Sequence, residues 1–183
     1  MPVEMVALAA TPGLSPAAPK RIKLLPLGEF ASYDGRPGNM EGSNTKVWRL
    51  TAAGAHRLID AFARQKIKMV VDYEHATLKA ATTGQPNPAA AWITGLTFVS
   101  GGDEPGLYAD MDWTPTAATL VAKSEYRYIS PVFLFDPDTG DVTALLHVAI
   151  TNTPALNTDA LPELQAQLSA LAHQFSTPPD QGT

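Results

Sequence analysis

Nucleophilic hydrolysis needs a hydroxyl or thiol, a base to take its proton and a group to orient that base. The chain has no cysteine and four histidines, so few residues can fill these roles. His56 falls in an amphipathic helical pattern beside Arg57 and reads as a half-exposed helix residue. His173 lies near the end of the last helical pattern, where a cation suits the helix dipole. His75 differs. It closes the run Val71-Asp72-Tyr73-Glu74-His75, at the end of an apolar strand and just before an irregular loop. Strand ends are where sites are built on rigid scaffolds. His147 interrupts the apolar run Ala144 to Ile150 and needs a hydrogen-bond partner if it is buried. Ser130 lies inside Tyr126-Arg127-Tyr128-Ile129-Ser130-Pro131-Val132-Phe133. Serine is not a favoured strand residue, and Pro131 marks that strand as an edge or a bulge.

Taken together, Ser130, His75 and His147 can supply a nucleophile, a base and an orienting imidazole from three strands. Such a triad requires a His75 nitrogen about 2.6–4 Å from Ser130 Oγ and His147 on the other His75 nitrogen. No G-x-S-x-G elbow is present, which excludes the α/β-hydrolase arrangement. Asp72, Glu74 and His75 are a poor metal set because adjacent residues on a strand do not converge, so no metal or other cofactor is expected.

The elements that must carry these residues follow from composition and periodicity. Length fits about one domain, and 45% hydrophobic residues suffice for a core. Sixteen prolines argue against a long coiled coil or helical bundle and for short strands with turns. A net charge of −5 gives no basic field for duplex nucleic acid, and no apolar run is long enough to span a membrane. Met5 to Ala10 has no preceding positive charge and is a poor secretory signal.

Strands are expected at 21–25, 47–49, 67–71, 91–99, 106–113, 127–135 and 142–151, the last two pairs as hairpins. In the last strand Val142, Ala144, Leu146, Val148 and Ile150 are expected on one face, with Leu145 and His147 on the other. Helices are expected at 51–65, capped by Thr51, and at 115–123, with Pro115 at its first position. Residues 77–88 read as a loop. Leu161, Leu164, Leu168 and Leu171 form a helical stripe that must be covered, and it is expected to dock a partner or a second copy of the chain. The expected organisation is a flexible arm over 1–20, one domain over 21–157, and a C-terminal helix and linker over 158–183. The fold class is α+β, a mainly antiparallel barrel-like sheet with two or three peripheral helices.

The ordered segments Asp34-Gly35-Arg36-Pro37, Asp72-Tyr73-Glu74-His75, Pro88-Ala89-Ala90-Ala91-Trp92-Ile93, Leu107 to Thr114, Tyr126 to Phe133 and Thr151-Asn152-Thr153-Pro154-Ala155-Leu156 resemble the Mu-like prophage I proteins. These are head-maturation protease and scaffold precursors of tailed phages. They look like distant relatives of the prohead proteases and the herpesvirus assemblins. That wider group uses a histidine, then a serine, then a third residue downstream, which is a second histidine in the assemblins. The resemblance implies that His75 and Ser130 are catalytic and that His147 is the third member. His147 stands where related prohead proteases have an acidic residue, so Asp72 and Glu74 are the fallback orienting groups. Strand alternation would point both away from His75 unless the strand bulges. Pro131 has no N–H to give an oxyanion, and no arginine follows His147 as in the assemblins; the hole is left to the N–H of Ser130, another loop, a bound water or a cation, for which Arg127 is a candidate by proximity in sequence.

The implied function is a serine endopeptidase that cleaves capsid scaffold, and itself, inside the assembling prohead in the host cytoplasm. The implied partners are the scaffold and the major capsid protein, with a homodimer also possible. The alternative is a non-catalytic scaffold or assembly module that keeps the fold. Loss or retention of self-cleavage on Ser130→Ala separates the two.

Overall fold

The computed structural model of the chain describes residues 17–157, 159–164 and 166–167. In chain order the elements are β1 (Arg21–Pro26), β2 (Gly28–Phe30), β3 (Trp48–Leu50), α1 (Ala52–Ala63), β4 (Met69–Tyr73), α2 (Thr77–Thr83), β5 (Ala91–Val99), β6 (Gly106–Trp113), α3 (Pro115–Ala122), β7 (Tyr128–Phe135) and β8 (Val142–Thr151). Local chemistry sets several boundaries. The Thr51 hydroxyl accepts from Gly54 N at 2.9 Å and starts α1. Thr114 does the same for α3 through Ala117 N, with Pro115 in the first turn. Residues 34–46, with three glycines and a proline, form turns and no regular element.

Six strands form one sheet in the order β1-β6-β5-β4-β8-β7, and β2 and β3 form a separate ribbon. All neighbours in the large sheet are antiparallel except β4 and β8, which run parallel. The end strands β1 and β7 approach each other, so the sheet curls into a nearly closed barrel-like α+β fold with three helices. Its core includes Ile22, Leu24, Val71, Ile93, Leu107, Ile129 and Ile150, all at 1% exposure or less. Leu161 and Leu164, expected to dock a partner, instead pack into the same core, although they follow the boundary expected at 157. Leu164 N donates to Arg127 O just before β7, and Lys23 N in β1 donates to Gln167 Oε1. This segment therefore ties together the two strands between which the sheet fails to close. Leu168, Leu171 and His173, and residues 1–16 of the arm expected over 1–20, lie outside the described residues. Among the described residues no helix is long and apolar enough to cross a membrane.

Two expectations need correction. Residues 77–83 are not loop but helix α2, because Leu78, Lys79 and Ala80 favour a helix until Gly84 ends it at φ +63°. The face assignment in β8 also fails. Val132 pairs with His147 but Phe133 pairs with Leu145, so Leu146 is the extra residue of a bulge. The bulge leaves Leu146 48% exposed and buries Leu145.

Candidate active site

The site is built where β7, β8 and β4 lie side by side. Ser130 on β7 pairs with Ala149 on β8, and Ala149 pairs with Asp72 on β4. Register partners share a face, so Ser130, Ala149 and Asp72 line up across the sheet. His147 lies on that face too, two residues from Ala149. The opposite face carries Ile129, Val148, Ile150 and Val71, which belong to the core cluster. Two strand spacings, about 10 Å, separate the Ser130 and Asp72 backbones, too far for direct contact.

His75 closes this gap. β4 ends at Tyr73, and Glu74 and His75 both take the left-handed conformation, at φ 53° and 59°. Two consecutive non-glycine residues there are strained, at about 1–3 kcal/mol each. Hydrogen bonds hold them in place. Glu74 N donates to Ile150 O, Thr151 Oγ1 donates to Glu74 Oε2 at 2.6 Å, and Asn152 N donates to Glu74 Oε1 at 3.3 Å. The turn swings the half-buried His75 ring over small Ala149, and its Nε2 lies 3.0 Å from Ser130 Oγ. In the Nδ1–H tautomer the serine hydroxyl donates to Nε2, the pairing that activates a hydroxyl as a nucleophile.

Behind His75 lie two buried groups. His147 is 4% exposed, and its ring meets that of His75 edge-on with centroids 5.7 Å apart. Asp72 is fully buried. Thr77 N, at the start of α2, donates to Asp72 Oδ2 at 2.7 Å, and His147 Nε2 lies 3.8 Å from the same oxygen. One ligand atom from each of Asp72, His75 and His147 lies within 4.8 Å of the others. His75 Nδ1, His147 Nε2 and Asp72 Oδ1 have no hydrogen-bond partner. Thus His147 adjoins His75 without hydrogen-bonding it. Burial pushes both histidines below their ordinary pKa, while the Asp72 charge pulls each back up. Both imidazoles are neutral near pH 7.

The alternation that set Asp72 against His75 does not apply, because His75 is not on the strand. Nothing in Asp72-Tyr73-Glu74-His75 announces two left-handed residues, and so the approach of Asp72 was not legible. Glu74, the other fallback, is occupied by Thr151 and Asn152. Arg127 is held elsewhere: its Nε lies 3.5 Å from Glu163 Oε2, and it does not line the cleft beside Ser130. The cations in that cleft are Arg36 and Lys79, and both depress the His75 pKa. Arg36 also chelates Asp34, which holds that carboxyl far below the usual range.

The cleft has a volume of about 530 Å³ and runs along β7 from Ser130 to Phe135, with Trp48, Leu78 and Leu156 on its walls. Consecutive residues 130–133 all line it, so it meets the edge of the strand and not one face. That edge position agrees with Pro131, which has no ladder N–H to lose.

Residues 22–164 match the Mu-like prophage I protein, N-terminal domain. Protease I of Escherichia phage Mu is 30% identical over 159 residues, which is 85% of this chain and 43% of that protein. The Mu-like prophage FluMu I protein of Haemophilus influenzae is 32% identical over 139 residues, 73% of this chain and 38% of its own length. The chain spans about two fifths of the length of these relatives. No solved structure matches it significantly. With the family domain covering most of its length, the chain belongs to the Mu-like prophage I proteins.

Proposed function

We propose that the chain is a serine endopeptidase of phage head maturation, with Ser130 as nucleophile and His75 as general base. The observation that carries the reading is the 3.0 Å contact between His75 Nε2 and Ser130 Oγ, at the mouth of a cleft along an open strand edge. Support comes also from the name Protease I carried by the phage Mu relative.

An extended peptide along the edge of β7 would bring its scissile carbonyl to Ser130. Ser130 Oγ forms the acyl bond while its proton passes to His75 Nε2. The resulting imidazolium lies beside Asp72, whose charge stabilises it, and the His147 ring packs against both. His75 then returns the proton to the leaving amine, and water completes hydrolysis by the same route in reverse. Arg36 and Lys79 are the cleft's cations for the developing oxyanion, and Asp34, paired with Arg36, and Glu74 line the same cleft and oppose their charge. The substrates of this reading are the capsid scaffold and the chain itself.

The test is co-expression with the head scaffold and major capsid proteins, followed by intact mass of every product. Defined cleavage products that disappear with Ser130→Ala support the peptidase. Cleavage that survives Ser130→Ala, or unprocessed partners that still assemble with this chain, assign it instead to assembly without catalysis.

A further inference from the structure

The three unpartnered atoms behind His75 call for a ligand. Asp72 Oδ1, His75 Nδ1 and His147 Nε2 are all buried, and their side chains converge within 4.8 Å. Asp72 is fully buried and His147 is 4% exposed. Among the described residues no lysine or arginine pairs with Asp72; its contacts are Thr77 N and His147. A buried carboxylate with an oxygen lacking any donor is costly, and a cation is the most effective remedy.

The donor set is one carboxylate and two imidazoles, which suits a borderline transition metal and not calcium or magnesium. Tetrahedral zinc at about 2.0–2.1 Å from each ligand requires donor atoms roughly 3.4 Å apart. Asp72 Oδ2 and His147 Nε2 are already 3.8 Å apart, and no pair is wider than 4.8 Å, so a closure of at most about 1.4 Å at the widest pair completes the site. There is a way in: His147 also lines a second groove, formed with Thr77, Leu146 and residues 65–70, of which Ser130 is not part.

We propose that Asp72, His75 and His147 bind a divalent transition-metal ion, typified by zinc, and that the bound ion switches off the Ser130–His75 pair. Coordination through Nδ1 moves the single proton of the neutral His75 ring to Nε2. That nitrogen then donates toward Ser130 Oγ and has no lone pair to accept its proton. No bond to substrate is involved, and nothing is oxidised or reduced. The ion sits behind the base, outside the peptide cleft, so substrate does not compete with it. The binding site stands on geometry alone, whereas the inhibition rests on the peptidase reading above.

The experiment uses untagged protein and zinc chloride. Calorimetry should show one saturable site in the native chain and in Ser130→Ala. Affinity should fall more than tenfold in Asp72→Asn and in His147→Gln, with near-ultraviolet circular dichroism checking that each variant is folded. Cobalt should give the visible absorption of a low-coordinate site in the native chain and in Ser130→Ala, and not in Asp72→Asn or His147→Gln. Where the chain cleaves its substrate, zinc should lower kcat with KM unchanged, and EDTA should restore it. Absence of saturable binding, or binding undiminished in both folded variants, overturns the proposal even if the protease is active. Saturable binding that both variants lose, in a chain that cleaves nothing, supports the site and sinks the peptidase instead.

Discussion

Asp72→Asn separates charge from shape at the centre of the site. Asparagine keeps an oxygen for Thr77 N, so the start of α2 stays anchored, and only the negative charge is lost. That charge lies at most 4.8 Å from the His75 ring nitrogen that faces it. At this separation and an effective dielectric of 20, it favours the imidazolium by about 3 kcal/mol. If this stabilisation is realised in the transition state, its loss slows cleavage by about 10²-fold. A carboxylate bonded directly to the base is worth more, about 10⁴-fold. Asp72 makes no such bond, since His75 Nδ1 has no partner, and the smaller figure follows. A second effect has a definite sign. The Asp72 charge raises the His75 pKa, so removing it lowers that pKa and moves the acid limb of kcat/KM to lower pH. The assay is the initial rate of product formation by mass spectrometry, from about pH 5 to pH 9, for native and Asp72→Asn protein of equal thermal stability. A rate loss below tenfold together with an unmoved acid limb refutes the electrostatic role of Asp72.

Stability should fall on mild acidification. His75 and His147 have folded pKa values depressed by burial, so the unfolded chain binds their protons first. Their contribution is complete above the ordinary histidine value near 6.5 and is lost as pH drops from there toward the folded values. The melting temperature should therefore decline below about pH 6.5, and His147→Gln should flatten that decline; an equally steep decline in the variant rejects the assignment. Leu164→Ala should cost about 2–5 kcal/mol in urea unfolding, because a fully buried leucine leaves a cavity where β1 and β7 are tied together. A cost under about 1 kcal/mol would instead make the segment after 157 an appendage of the domain.

Periodicity and caps are local properties, and what depended on them could be read directly. The alternation in 106–113 and the polar turns of the two hairpins rest on side-chain period and turn chemistry, which near neighbours decide. The same holds for Thr51 as a cap and for Pro115 at the start of α3. Ser130 beside Pro131 signalled an edge strand, because a residue without an N–H is tolerated there. Where local signals were weak or conflicting, the reading failed. Leu146 looks like one more apolar residue in its run, yet the bulge that exposes it depends on pairing with a different strand. Asp72 and His75 were set on opposite faces because alternation assumes that a strand continues. The strand stops at Tyr73 because Glu74 is pinned by Thr151 and Asn152, some 77 residues away along the chain. The sequence by itself determined the residue types able to do the chemistry and the strands that carry Ser130 and His147. Only the tertiary structure decided that His75 leaves its strand, passes over Ala149 and stands between Ser130 and a buried carboxylate. Such a placement comes from contacts between distant segments, whose combined free energy holds two residues in a backbone conformation that neither favours alone.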